Sequence, residues 1–176
     1  MSKEGVVAAV CMSSEHGYPT YPQTCIAVGM LGTPGDAHSG ELRESFKVPG
    51  TFKYNDRPYS IVADEVRLYL NATLGLSMEH GDFNEQIVVT GLGDLGDVEI
   101  GSRLVFSGGV ILEIVDRAYP CEKLKSHNQN NKKIIKTLAQ KRGKEIYSRR
   151  GVLAKVVQTG QLSPGETVRV ETPVTI

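Results

Sequence analysis

Apolar and β-branched residues recur along this chain in short runs, each closed off by glycine, proline or aspartate. Val6–Met12 and Thr24–Leu31 are apolar stretches bounded by turn formers, and that pattern predicts strands. Tyr59–Val62, Gln86–Thr90, Ser102–Phe106, Val110–Val115, Val152–Gln158 and Thr167–Val170 read the same way. Two stretches follow a helical period instead. Ala63–Leu74 sets Val66, Tyr69, Leu70 and Leu74 on one face, with Gly75 as the C-terminal cap. Lys132–Tyr147 spaces Ile134, Ile135, Leu138 and Ile146 helically, although Gly143 interrupts it. Many short strands with only two helices predict a mainly β fold. A barrel is the expected form, because closing the sheet removes exposed edges and leaves helices to plug or flank it.

Composition narrows the class. The chain has 176 residues, of which 40% are hydrophobic and 23% charged, so it is expected to fold around a substantial core as one domain or two small ones. No apolar run approaches the roughly 20 residues that span a bilayer. Val6–Met12 is too short for a signal-peptide core, so the expected location is the cytoplasm. Cys11, Cys25 and Cys121 form no CxxC pair, which argues against structural zinc and against a disulfide scaffold. Cys11 and Cys25 sit in apolar runs and read as buried small hydrophobes.

The formal net charge is zero, with 20 basic and 20 acidic residues. That argues against a uniformly basic nucleic-acid binder. The zero is unevenly spread, however. Between Arg117 and Arg150 eleven basic residues face only Glu122 and Glu145, so this stretch carries +9 and the remainder −9. An anion-binding wall and a solvated helix face both explain such a run; for Lys132–Lys144 the solvated face is favoured.

Four segments can carry chemistry. In Gly35-Asp36-Ala37-His38-Ser39-Gly40, Asp36 and His38 can present polar groups to a ligand, or Asp36 can cap its own turn. In Asp116–Leu124, Cys121 follows Pro120 and lies near Arg117, Lys123 and Lys125, a setting that favours the thiolate. An inert half-buried cysteine is the even alternative. Arg149-Arg150-Gly151 enters a strand, which makes Arg150 a ligand candidate. Arg57, in Asp56-Arg57-Pro58, could grip a phosphate or carboxylate, or simply be solvated. His16, His80 and His127 lack metal-ligand spacing.

Taken in order, these segments resemble the MOSC domain, the module named after the C-terminal part of molybdenum-cofactor sulfurases. Lys3–Met12 resembles its first strand, and Gly35–Gly40 is similar to its GDxHxG signature. Arg57–Glu65 resembles the strand-to-helix segment, and Gly101–Leu104 and Val110–Val115 lead to Pro120-Cys121, the position of the family cysteine. Arg150–Val157, Gly160 and Pro164–Val168 resemble the closing segment. Where family members often carry Gly-Glu-Asn, this chain has Asn84-Glu85-Gln86, so only Glu85 matches.

The resemblance implies a single domain over residues 1–176, built as a closed or partly open barrel of the pyruvate-kinase-barrel-like type with two or three flanking helices. Residues 125–147 would be a helical insertion. It further implies a molybdenum-cofactor-binding, sulfur-handling protein, with sulfurtransferase-like or cofactor-dependent activity. Cys121 would carry persulfide sulfur or ligate molybdenum. Asp36, His38, Arg57, Glu85, Arg117, Lys123 and Arg150 would contact an anionic pterin-type ligand. Sulfur would come from a cysteine desulfurase or another donor, with pyridoxal phosphate confined to that separate partner. The rival reading is a non-catalytic binding module for an anionic small molecule or protein partner. Nucleic-acid binding ranks last, because the basic stretch has only Tyr119 and Tyr147 as interleaved aromatics.

Overall fold

The computed structural model describes residues 3–17, 19–45, 47–120, 124 and 131–173. Its centre is a closed seven-stranded barrel. The ring runs β14 (Thr167–Glu171), β8 (Arg103–Phe106), β9 (Ile111–Arg117), β12 (Val152–Gln158), β6 (Tyr59–Ala63), β7 (Ile87–Thr90) and β1 (Glu4–Met12). The pairing of Glu4–Val6 with Thr167–Arg169 closes it, and β2 (Tyr21–Gln23) extends the sheet from β1. Among the described residues no helix is long and apolar enough to cross a membrane.

Each predicted barrel strand forms within a residue or two of its expected limits. The interior is filled by Val7, Val10, Tyr59, Ile61, Ile87, Val89, Leu104, Leu112, Ile114 and Val152. In β1 a strict period of two would send Val7, Ala9 and Cys11 to one face. A bulge between Val7 and Ala9 shifts the phase instead. Val7 and Val10 therefore join the main core, while Ala9 and Cys11 pack with Val88 in a separate cluster. Cys11 is fully buried, as expected. Burial pushes its thiol up to about 12, which leaves it protonated and inert.

All barrel pairings but one are antiparallel. β6 and β7 run parallel, and α1 (Asp64–Leu74) supplies the crossover that such a pair needs. Asp64 and Glu65 lie in its first turn, where the helix dipole favours acid. Val66 and Leu70 are buried, Leu74 is partly buried and Tyr69 is exposed. Gly75 ends the helix in the left-handed conformation, as predicted.

Smaller elements surround the barrel. β3 (Ile26–Val28) pairs with β13 (Gly160–Leu162), and β4 (Leu42–Glu44) pairs with β5 (Phe52–Tyr54). The predicted strand Thr24–Leu31 thus shrinks to three residues. Ile26 and Val28 point inward, so Cys25 points outward and is exposed, contrary to the buried role expected of it.

The second helix also differs from expectation. α2 covers Asn131–Leu138 only, held by buried Ile134 and Leu138. The chain then forms the hairpin β10 (Ala139–Arg142) and β11 (Glu145–Ser148). Gly143 has φ 63°, a conformation that turns the chain where a helix would need continuation. Ile146 faces out and Tyr147 faces in, where its hydroxyl donates to Asp94 at 2.7 Å. Burial and that neighbouring carboxylate push the tyrosine up to about 12. The segment 125–147 is therefore half helix and half hairpin over its described part; residues 125–130 lie outside the described residues.

Candidate functional site

Several chain segments converge beside the barrel: the turn after β1, the Gly35–Gly40 loop, the entry to β6, the loop before β7, the exit of β9 and the entry to β12. Asp36 is almost fully buried and organises the first of these. Its Oδ2 accepts the amide of Ser13 at 3.0 Å, and its Oδ1 accepts the amide of His38 at 2.8 Å. The second bond is the self-capping turn weighed above. The same Oδ1 also takes Nδ1 of His38 at 2.9 Å, so cap and polar presentation occur together. Burial would raise the Asp36 carboxyl, but the hydrogen bonds from His38 and Ser13 outweigh it and hold the group below its usual range.

His38 is the polar centre of this wall. Nδ2 of Asn84 lies 3.0 Å from its Nε2, and Nε2 of Gln86 lies 3.3 Å from its Nδ1. The Gln86 amide is oriented by Oε1, which accepts the amide of Ser60 at 2.9 Å. His16 meets the His38 ring edge-on, with centroids 5.8 Å apart. Asn55 fastens the loop by donating to the carbonyls of His38 and Gly40, both at 3.0 Å.

Two clefts adjoin at this wall. One, of about 970 Å³, is lined by His16, His38, Asn84, Asn55, Phe52 and Arg43, among others. The second, of about 670 Å³, includes Lys47, Lys53, Arg117, Tyr119, Pro120 and Arg150. Arg43 and Arg57 line both. Arg43 pairs with Asp56 at 2.9 Å, and Arg57 pairs with Asp116. Lys47, Lys53 and the β4–β5 hairpin thus add cationic and aromatic surface that sequence spacing did not single out.

Other expected site residues support the walls. Glu85 is 1% exposed, and its carboxylate accepts the amides of Gly81 at 2.7 Å and Phe83 at 3.0 Å. Burial pushes this acid up, partly offset by those bonds and by Arg150. Its carboxylate therefore braces its own loop, and Glu85 is not among the residues that line the two clefts. Arg117 reaches the cleft margin, but its guanidinium donates to the carbonyl of Val98 at 2.9 Å and to that of Leu95 at 3.4 Å. Arg150 is buried; it donates to the Phe83 carbonyl and reaches Ser60 Oγ at 3.4 Å. Through Phe83 it holds the loop that carries Asn84. Next to it, Gly151 has φ 114°, and a Cβ there would lie 2.1 Å from the Ile61 carbonyl oxygen.

His80 lies 2.9 Å from Asp64, beside the Arg67–Asp64 ion pair and away from the clefts. Among the described residues no group of three or more His, Cys, Asp or Glu is arranged to hold a metal ion. Cys121 and Lys123 lie outside the described residues. On either side of them, Pro120 lines the second cleft and Leu124 is buried in the core.

Asn84 and Gln86 were missed as site residues because each departs from the expected Gly-Glu-Asn. Their signal lies in backbone and side-chain placement. Asn84 has φ 61°, a left-handed conformation that asparagine tolerates better than most residues.

Comparison with solved structures supports the architecture. The YuaD protein from Bacillus subtilis matches with TM-score 0.81 at 19% identity, covering 98% of this chain and all of that one. YiiM from Geobacillus stearothermophilus gives 0.62 at 23% identity, covering 97% and 75% of the two chains. YiiM from Escherichia coli gives 0.61 at 17%, covering 98% and 72%. These likenesses concern the fold. A search of curated protein sequences found no match. The MOSC domain family model matches residues 34–169, which takes in the Asp36–His38 loop, the loop of Asn84, the strand leading to Pro120 and the entry of β12; the chain belongs to the MOSC domain family.

Proposed function

We propose that the paired clefts take an anionic ligand of the molybdenum-cofactor type and that Cys121 handles sulfur beside it. The family is associated with molybdenum-cofactor metabolism. The observation that carries the reading is the joining of a hydrogen-bonding wall (His38 and Asn84, with Asp36 buried behind His38) to a basic cleft (Arg43, Arg57, Lys47, Lys53) whose lining includes Pro120, the residue before Cys121.

The donor set fits such a group. Cations along the second cleft suit a phosphate, and the Asn84 amide, which lines the first cleft, suits the polar edge of a pterin. Arg43, Arg57, Lys47 and Lys53 would hold the anionic end, with Phe52 beside the ring. When bound, the cofactor supplies a redox-active metal held by sulfur. The chain's own part is to orient the ligand through Asn84 and to neutralise its charge.

The sulfur step balances as follows. The Cys121 thiolate attacks the outer sulfur of a donor persulfide, the donor's S–S bond breaks, and the donor leaves as a thiolate while Cys121 becomes the persulfide. The test is co-expression with a cysteine desulfurase. A mass gain of one sulfur on the peptide containing Cys121, absent in Cys121→Ala, is expected. Equal labelling in both proteins would sink the assignment.

A non-catalytic binding module is the second reading. It is favoured by the prior engagement of Arg43, Arg57, Glu85, Arg117 and Arg150 with protein groups. Under it, Cys121→Ser keeps full affinity for an anionic pterin such as pterin-6-carboxylate.

A further inference from the structure

We infer that Asn84 is a positioning residue that locks His38 in one tautomer and covers its Nε2, so that the amide of Asn84, rather than the imidazole, faces a ligand. The inference takes its functional meaning from the reading of the cleft above, but the arrangement itself stands on hydrogen-bond geometry.

Asp36 is ionised and can only accept, so His38 Nδ1, 2.9 Å away, must carry the proton. In the neutral ring Nε2 is then an acceptor. Nδ2 of Asn84 can only donate, and it sits 3.0 Å from Nε2. The neighbouring Gln86 amide cannot compete, because its Oε1 is committed to the Ser60 amide and its donor end meets the already protonated Nδ1. Both ring nitrogens are therefore occupied by protein groups. On Asn84 the match is incomplete: Oδ1 is buried and has no partner.

The backbone puts the cap in place. At φ 61° the residue is in a region open to glycine, asparagine and aspartate. Asn84→Gly therefore removes the cap without straining the loop, and Asn84→Asp replaces a donor with an acceptor at the same backbone geometry.

The test uses the free protein and needs no ligand, so it separates this inference from the molybdenum-cofactor reading, which fails or stands on pterin binding. Histidines are modified with diethyl pyrocarbonate and mapped by mass spectrometry, with exposed His16 as the internal reference. His38 of the wild type should react about tenfold more slowly than His16, the scale of one hydrogen bond. In Asn84→Gly it should approach the His16 rate. In parallel, nitrogen-15 spectra should show the Nδ1–H tautomer in the wild type and protons on both ring nitrogens in Asn84→Asp. A wild-type His38 that reacts as fast as in Asn84→Gly, or that carries its proton on Nε2, would overturn the inference.

Discussion

Asp36 and His38, two residues apart, are joined twice through one oxygen: Asp36 Oδ1 accepts both the His38 amide at 2.8 Å and Nδ1 of its ring at 2.9 Å. A buried carboxylate so used is a point where stability and pH are linked. Its folded-state pKa is depressed, so the folded chain binds the proton less readily than the unfolded chain. The stabilisation is complete above the ordinary value of 3.8 and is lost as pH falls through the lower folded value. Asp36→Asn should cost about 2 kcal/mol at pH 7. Urea denaturation of both proteins should show the gap narrowing as the pH is taken below 3.8. A gap constant with pH would show that the carboxylate's charge contributes nothing.

Arg57 and Asp116 set the charge at the junction of the clefts. Asp116→Asn releases the guanidinium and removes a competing anion. Binding of inorganic phosphate or tungstate, followed by titration calorimetry, should tighten about tenfold in Asp116→Asn, as expected for freeing one charge-assisted bond. Arg57→Ala should weaken it by a similar factor. Unchanged affinity in both variants would remove Arg57 from the anion site.

Gly151 tests the framework that holds Arg150. A methyl group there would meet the Ile61 carbonyl oxygen at 2.1 Å in a backbone conformation that L side chains rarely adopt. Gly151→Ala should destabilise by about 3 kcal/mol, read from the urea midpoint at constant slope. A loss below about 0.5 kcal/mol would mean that β6 and β12 separate more easily than their pairing implies.

Tyr147 anchors the β10–β11 hairpin through Asp94. Tyr147→Phe should lose about 1 kcal/mol, one buried hydrogen bond, with phosphate affinity of the clefts unchanged. A change in that affinity would tie the hairpin to the clefts.

The barrel was legible because its strands are short apolar runs between strong turn formers, and Val110–Val115 and Val152–Gln158 needed no tertiary information. The small strands β4, β5, β10 and β11 were not. The side chains of β4, β5 and β10 are largely exposed, and β11 buries two adjacent residues, Tyr147 and Ser148, so no alternation of apolar and polar residues marks them. Ile134, Ile135, Leu138 and Ile146 mimic a helical period, but the turn at Gly143 and the seating of Tyr147 on Asp94 override it. At the candidate site, Asp36, His38 and Arg57 were singled out from local motifs. Asn84 and Gln86 required the fold, because an uncharged amide gives no signal until it is seen against a histidine ring.

The seam between β1 and β14 joins Glu4–Val6 to Thr167–Arg169, near the two extremes of the sequence. On a ribosome the first strand therefore emerges long before the neighbour that completes its ladder. Until then one edge of β1 lacks its partner strand, and such an edge invites pairing with other chains. During synthesis β8, β9 and β12 all emerge before the strand that closes the ring. A chaperone or a stalled translation complex would meet an open, curved sheet with an unsealed flank, and pairing through that edge during synthesis is the hazard this topology carries.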